Sequence, residues 1–86
     1  MEIYEVEIPR RAQKQIQAVP LPWRDRVKRV INLLGENAFE GKKMHGIYED
    51  TWKVRVWPYR VYYRIDKNKK KIFVLEVRHR GSTWYK

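Results

Sequence analysis

Three runs of strict alternation dominate the second half of this chain and restrict what it can fold into. Trp52 to Trp57, Tyr59 to Ile65 and Ile72 to Arg80 each place apolar side chains at every second position, which is the period of a half-buried strand. Pro58 can sit only at a turn or an edge, so it separates the first run from the second. The polar stretch Asp66-Lys67-Asn68-Lys69-Lys70 separates the second from the third. Three strands joined by such short turns predict an antiparallel meander.

The first half supplies what covers it. Tyr4, Val6 and Ile8 alternate with Glu5 and Glu7, as expected of one more strand. Pro9 suits the first turn of a helix, where its missing N–H costs nothing. Ala12, Ile16 and Val19 then recur at helical spacing. Pro20-Leu21-Pro22 ends that helix and opens another, in which Trp23, Val27, Val30, Ile31 and Leu34 fall at i, i+4, i+7, i+8 and i+11. Gly35 is expected to stop this second helix in the left-handed conformation. So short a connection predicts an antiparallel helical hairpin. Residues 36–51 show no period, with Phe39, Met44, Ile47 and Tyr48 as anchors to the core. The expected fold is α+β in the order β-α-α-β-β-β: a meander plus an N-terminal strand, with the hairpin packed on one face. With 86 residues, no repeats and no linker, the chain is expected to be a single domain over 1–86.

Composition narrows the function. The chain has no cysteine, which excludes disulfide scaffolds, thiolate metal sites and cysteine nucleophiles and fits a reducing, cytoplasmic setting. The longest apolar stretches are Ile72-Phe73-Val74-Leu75 and its like, too short to span a bilayer, and the acidic start is not that of a signal peptide. No membrane partner is expected. The net charge is +10 and points to a polyanion. Its placement is uneven. Residues 1–51 hold nine basic and eight acidic side chains, residues 52–86 eleven basic and two acidic.

Strand parity turns that excess into a surface. If Trp52, Val54, Val56, Tyr59, Val61, Tyr63 and Ile65 face the helices, then Lys53, Arg55, Arg60, Tyr62 and Arg64 face away. In the third strand the same parity puts Phe73, Leu75, Val77 and His79 inward, and Ile72, Val74, Glu76, Arg78 and Arg80 outward. Six cations against one acid, Glu76, make a self-repelling face that an external anion would neutralise. A solvated charged face is the bland alternative, but such faces usually carry mixed signs. Tyr62, Trp57, Trp84 and Tyr85 lie among the cations, the mixture that suits unstacked bases and their phosphates. His79 is expected to be a hydrogen-bonded structural residue, and His45, in a glycine-flanked loop, a solvated one. Neither has a partner at metal-ligand spacing, so no cofactor is expected. Ser82 is the sole serine, which leaves no serine triad.

The run from Trp52 to Asp66, with its Tyr59-Arg60-Val61-Tyr62-Tyr63-Arg64-Ile65-Asp66 core, the later Val77-Arg78-His79-Arg80 and the final Trp84-Tyr85 resemble the RelE/ParE toxin superfamily. The Gln13-Lys14-Gln15-Ile16 helix and the Gly41-Lys42-Lys43-Met44-His45-Gly46 loop fit the same pattern. The resemblance implies a toxin of a type II toxin–antitoxin pair, cytoplasmic, monomeric without its cognate antitoxin. For RelE-like members it implies a messenger RNA interferase: an endoribonuclease that cuts mRNA in the ribosomal A site, with mRNA, the ribosome and its 16S ribosomal RNA as partners. The implied reaction is metal-independent attack of a 2′-hydroxyl on the adjacent phosphate.

Carried over by residue, the resemblance gives Lys53, Arg55, Arg60, Arg80 and Tyr85 as catalytic candidates; the cationic face with its aromatics adds Arg64, Arg78, Trp57 and Trp84 as RNA-binding ones. Arg60 and Arg80 can grip phosphate oxygens by two bonds each. An arginine is a poor base because it stays protonated, whereas neighbouring cations favour the neutral form of a lysine, which makes Lys53 the expected base or electrostatic activator. Arg55 stands where the best-known member has lysine, Trp57 stands where a basic residue can occur, and either Trp84 or Tyr85 fits the base-stacking position. Two alternatives stay open: a ParE-like inhibitor of DNA gyrase, and a non-catalytic RNA- or ribosome-binding protein. The implied antitoxin is an acidic or amphipathic chain that covers the helical hairpin or neutralises the cations.

Overall fold

The structure is a computed structural model and describes residues 3–44 and 50–81. Its elements are β1 (Glu5–Glu7), α1 (Arg10–Gln17), α2 (Trp23–Leu33), β2 (Lys42–Lys43), β3 (Trp52–Val56), β4 (Tyr59–Asp66) and β5 (Lys71–His79). The strands form one sheet in the order β1-β5-β4-β3-β2. The β3-β4-β5 meander is antiparallel as its alternation predicts, and β1 joins β5 in parallel. The strand β2 is an addition to the sequence reading. Two residues are too few to show a period, and it is recruited by pairing Lys42 with Lys53 and Lys43 with Trp52.

Both helices pack on one face of the sheet. Ala12, Ile16 and Val19 from the first half of the hairpin and Val27 and Ile31 from α2 meet Val56, Val61, Val74 and Val77. A second buried group, Tyr4, Leu34, Ala38, Tyr63 and Ile72, closes the end of the core. Because β1 is short, it pairs with β5 only from Lys71 to Phe73. Farther along that edge the Gln15 side-chain oxygen accepts a hydrogen bond from the Val77 N–H at 2.8 Å, so α1 caps the edge where β1 has ended. At the β4–β5 turn, Asp66 Oδ1 accepts from the Lys69 N–H at 3.1 Å and Lys70 takes φ 53°. Among the described residues no helix is long and apolar enough to cross a membrane.

Two expectations need correction. Gly35 is not a left-handed stop, since it lacks a positive φ. Its need is space: the Tyr4 N–H donates to the Gly35 carbonyl at 2.7 Å, and an added Cβ would lie 2.8 Å from the Tyr4 carbonyl oxygen. The second concerns β5. Its pairing with β4 steps from Tyr62↔Glu76 to Tyr63↔Val74, which leaves Leu75 as the extra residue of a β-bulge. The bulge reverses parity halfway along. Ile72 and Val74 are therefore fully buried on the helix side, where uninterrupted alternation puts Phe73 and Leu75. Beyond the bulge, Val77 returns to a buried position opposite Val61, whereas His79, opposite Tyr59 and expected to face the core, is exposed at the end of the strand.

Candidate active site

The face turned away from the helices carries two rungs of side chains. One runs Lys42–Lys53–Tyr62–Glu76 across β2, β3, β4 and β5. The next runs Arg55–Arg60–Arg78 across β3, β4 and β5. Directly opposed residues in antiparallel strands have Cβ atoms about 4.5–5.5 Å apart, so the second rung is three guanidinium stems side by side. They differ in their partners. Arg78 Nε is tied to Glu76 Oε1 at 2.9 Å, and Arg11 reaches the same carboxylate at 3.7 Å. Arg55 and Arg60 have no ion pair among the described residues.

Two hollows open onto this rung. One, of about 380 Å³, is lined by Glu40, Gly41, Lys42, Lys53, Val54, Arg55 and Arg60. The other, of about 280 Å³, is lined by Arg55, Trp57, Pro58, Tyr59, Arg60 and Arg80. Arg55 and Arg60 belong to both and form the partition between them. Arg80 lies just past β5, where its N–H donates to the Pro58 carbonyl at 2.7 Å. That bond ties the end of β5 to the β3–β4 turn. The Arg80 guanidinium then lies 5.9 Å from the centre of the Trp57 ring.

The structure thus brings Lys53, Arg55, Arg60 and Arg80 around one pair of hollows, with Trp57 at the rim. Arg64 is elsewhere, in a separate hollow with Asp66, Lys67 and Phe73. Arg78 shares the rung but is held by Glu76. Trp84, Tyr85 and His45 lie outside the described residues, as do Ile47 and Tyr48. His79 is exposed; its ring meets Tyr59 edge-on at 5.2 Å and its Nδ1 accepts from the Gly81 N–H at 3.0 Å.

Lys42 is the basic residue that strand parity overlooks. Only its pairing with Lys53 places it in the hollow, and the segment around it carries no alternation to announce that pairing. The wall it belongs to is clamped from below. Tyr63, fully buried, donates its hydroxyl hydrogen to the Ala38 carbonyl at 3.0 Å and accepts from the Gly41 N–H at 3.1 Å. Burial raises the Tyr63 phenol above its ordinary value; the Gly41 hydrogen bond opposes the shift and the Glu40 charge adds to it. Phe39 adds a second hold, edge-on to Trp52 at 5.4 Å and to Tyr4 at 6.1 Å. Gly41 passes so close that an added Cβ would lie 2.5 Å from both the Lys53 carbonyl oxygen and the Tyr63 hydroxyl. Chemically, the arrangement can accept an anion: two lysines with Glu40 on one side, two central arginines, and an arginine with an indole on the other.

Residues 6–84 match the family described as the ParE toxin of the type II toxin–antitoxin system parDE. No match is found among curated proteins. Among solved structures, the fold is similar to that of a RelBE toxin–antitoxin complex from Mycobacterium tuberculosis, with a TM-score of 0.83, 24% identity, and coverage of 90% of this chain and 98% of that one. A RelE–RelB complex from Pyrococcus horikoshii aligns with a TM-score of 0.74 at 25% identity over 94% of this chain and 99% of that one. A YoeB/ParE toxin from Agrobacterium tumefaciens aligns with a TM-score of 0.71 at 14% identity over 87% of this chain and 96% of that one. Taken with a sheet, hairpin and cationic face in the expected places, a match of this length makes the chain a member of the RelE/ParE family of type II toxin–antitoxin toxins.

Proposed function

We propose that the protein is a ribosome-dependent endoribonuclease that cuts mRNA in the A site. The observation that carries this reading is the partition Arg55–Arg60, flanked by Lys53 on one side and Arg80 on the other. A phosphodiester seated there lies among four cations, Lys53, Arg55, Arg60 and Arg80. In the reaction, the 2′-oxygen bonds to phosphorus, the bond to the 5′-oxygen breaks, and the products are a cyclic phosphate and a 5′-hydroxyl. Negative charge builds on the phosphoryl oxygens in the transition state, where preorganised cations act most strongly. Arg60 and Arg80 clamp those oxygens and Arg55 neutralises charge between them. Lys53 activates the 2′-hydroxyl, as a base or electrostatically. Tyr85 or the ribosomal RNA protonates the leaving oxygen, and either Trp84 or Tyr85 stacks on the target base. Arg64 and Arg78 extend the basic surface along the RNA. The cognate antitoxin is proposed to cover the hairpin or this face.

Primer extension on mRNA in a purified translation system, with and without ribosomes, tests the reading. Cuts inside A-site codons, abolished in Arg60→Ala, support it; uncut message at toxin concentrations that arrest growth overturns it. A second reading, inhibition of DNA gyrase, is favoured by one observation: the matching family is described as ParE. A supercoiling assay with purified gyrase separates the two.

A further inference from the structure

The smaller hollow has a feature that phosphate binding does not use. Trp57 is 61% exposed although it is the largest side chain of its turn. An indole left in water at a strand turn buries little of its own surface, so packing does not account for it. Its surroundings are charged on one side only: Arg55, Arg60 and Arg80 line the hollow with it, and no acid does. Arg80 lies over the ring, 5.9 Å from its centre. The cation is held there by the ring's negative face and by the 2.7 Å bond from its own N–H to Pro58.

We propose that Trp57 is the platform of a nucleobase subsite beside the phosphate held by Arg55 and Arg60. The subsite rests on the ribonuclease proposal for its RNA, and adds which base the protein grips and with what. A single-stranded chain crossing the Arg55–Arg60 partition puts one nucleotide in each hollow. The hollow with Trp57 offers an aromatic surface, and any base has a face to lay on it. Arg80 occupies one side of the indole, so the base takes the remaining exposed surface while the guanidinium stays within reach of the phosphate. Base stacking and phosphate binding then share one rigid unit, tied through Pro58.

The test uses the whole chain and a short single-stranded oligoribonucleotide methylated at every 2′-oxygen, which cannot be cut. Binding is followed by quenching of tryptophan fluorescence. Wild type is expected to be quenched, and Trp57→Phe to lose the part of that quenching that Trp57 supplies. Trp57→Ala is expected to weaken binding about 5- to 150-fold, the range for one base–aromatic stack, while the salt dependence keeps its slope. Removing single bases in turn should reproduce that weakening at one position only, and combining that abasic oligonucleotide with Trp57→Ala should cost no more than either change alone. Arg60→Ala should instead reduce the salt slope. No quenching, quenching in Trp57→Phe undiminished from wild type, or effects that multiply would each overturn the subsite. Cleavage is a separate readout. A protein that is quenched through Trp57 yet never cuts mRNA keeps the subsite and refutes the nuclease. One that cuts normally as Trp57→Ala keeps the nuclease and refutes the subsite.

Discussion

Arg55 and Arg60 stand directly opposite each other across the β3–β4 hairpin, on the face the helices leave open. Neither has an ion pair among the described residues. Like charges opposed across strands weaken a sheet, so this pair holds a cost that a bound phosphodiester would reverse. Replacing Arg55 by Gln is therefore expected to stabilise the free protein by about 0.2–1 kcal/mol while lowering cleavage, with urea denaturation reading the first effect and primer extension the second. An unchanged or lowered unfolding midpoint would contradict it.

Arg60 takes part in both hollows. Its replacement by Ala is expected to abolish cleavage without abolishing RNA binding, which should persist with a salt slope smaller by about 0.7 for each phosphate the variant no longer neutralises. Binding titrations at several salt concentrations measure the slope. A variant that cuts at the wild-type rate would remove Arg60 from the transition state.

Gly41 has no room for a side chain. Gly41→Ala would drive a methyl group into the Lys53 carbonyl and the Tyr63 hydroxyl, both 2.5 Å from the new carbon. The expected drop in stability is about 1–3 kcal/mol or more, as for an overpacked core, with lower cleavage because Lys53 and Lys42 move with the backbone. Chemical denaturation alongside the activity assay would reveal either effect.

Tyr63 makes stability depend on alkaline pH. Its phenol is raised in the folded protein, chiefly by burial, while in the unfolded chain it ionises near 10. Its contribution is therefore complete below about pH 10 and declines as pH climbs from there through the folded value, because only the unfolded form sheds the proton. Tyr63→Phe should destabilise by about 1–3 kcal/mol at neutral pH, since the Gly41 N–H and the Ala38 carbonyl are left without their partner, and should show a flatter decline above pH 10. Unfolding midpoints from pH 7 to 11 measure both; an identical slope in the two proteins would exclude Tyr63 as its source.

Gln15 guards an open strand edge. Gln15→Leu is expected to cost about 1–3 kcal/mol by stranding the Val77 N–H, and to favour association through the bare edge of β5. Thermal unfolding and light scattering at rising concentration check this.

Period-2 alternation locates β3, β4 and the cations of their outer face, because a strand in a meander must send alternate residues to opposite sides. Lys53, Arg55 and Arg60 are legible for that reason. Lys42 is not, since its place depends on a partner strand and not on its neighbours in sequence. Alternation misplaces Ile72 and Val74 because one unpaired residue, Leu75, breaks it without leaving any mark in composition. The commonest use of a glycine after a helix is the left-handed stop, whereas the actual constraint on Gly35 is the backbone of Tyr4, some thirty residues earlier.

Leu75 gives β5 two reading frames. The half before it is phased to one set of core positions and the half after it to another, and the bulge that takes up Leu75 lets both halves face the same core. If this strand, Leu75 included, paired in unbroken register from its first half onward, Glu76 and Arg78 would turn into the oily interior and Val77 would be expelled, although no residue had changed. The place of Arg78 beside Arg60 therefore depends on a local bend in the backbone as much as on the residue itself.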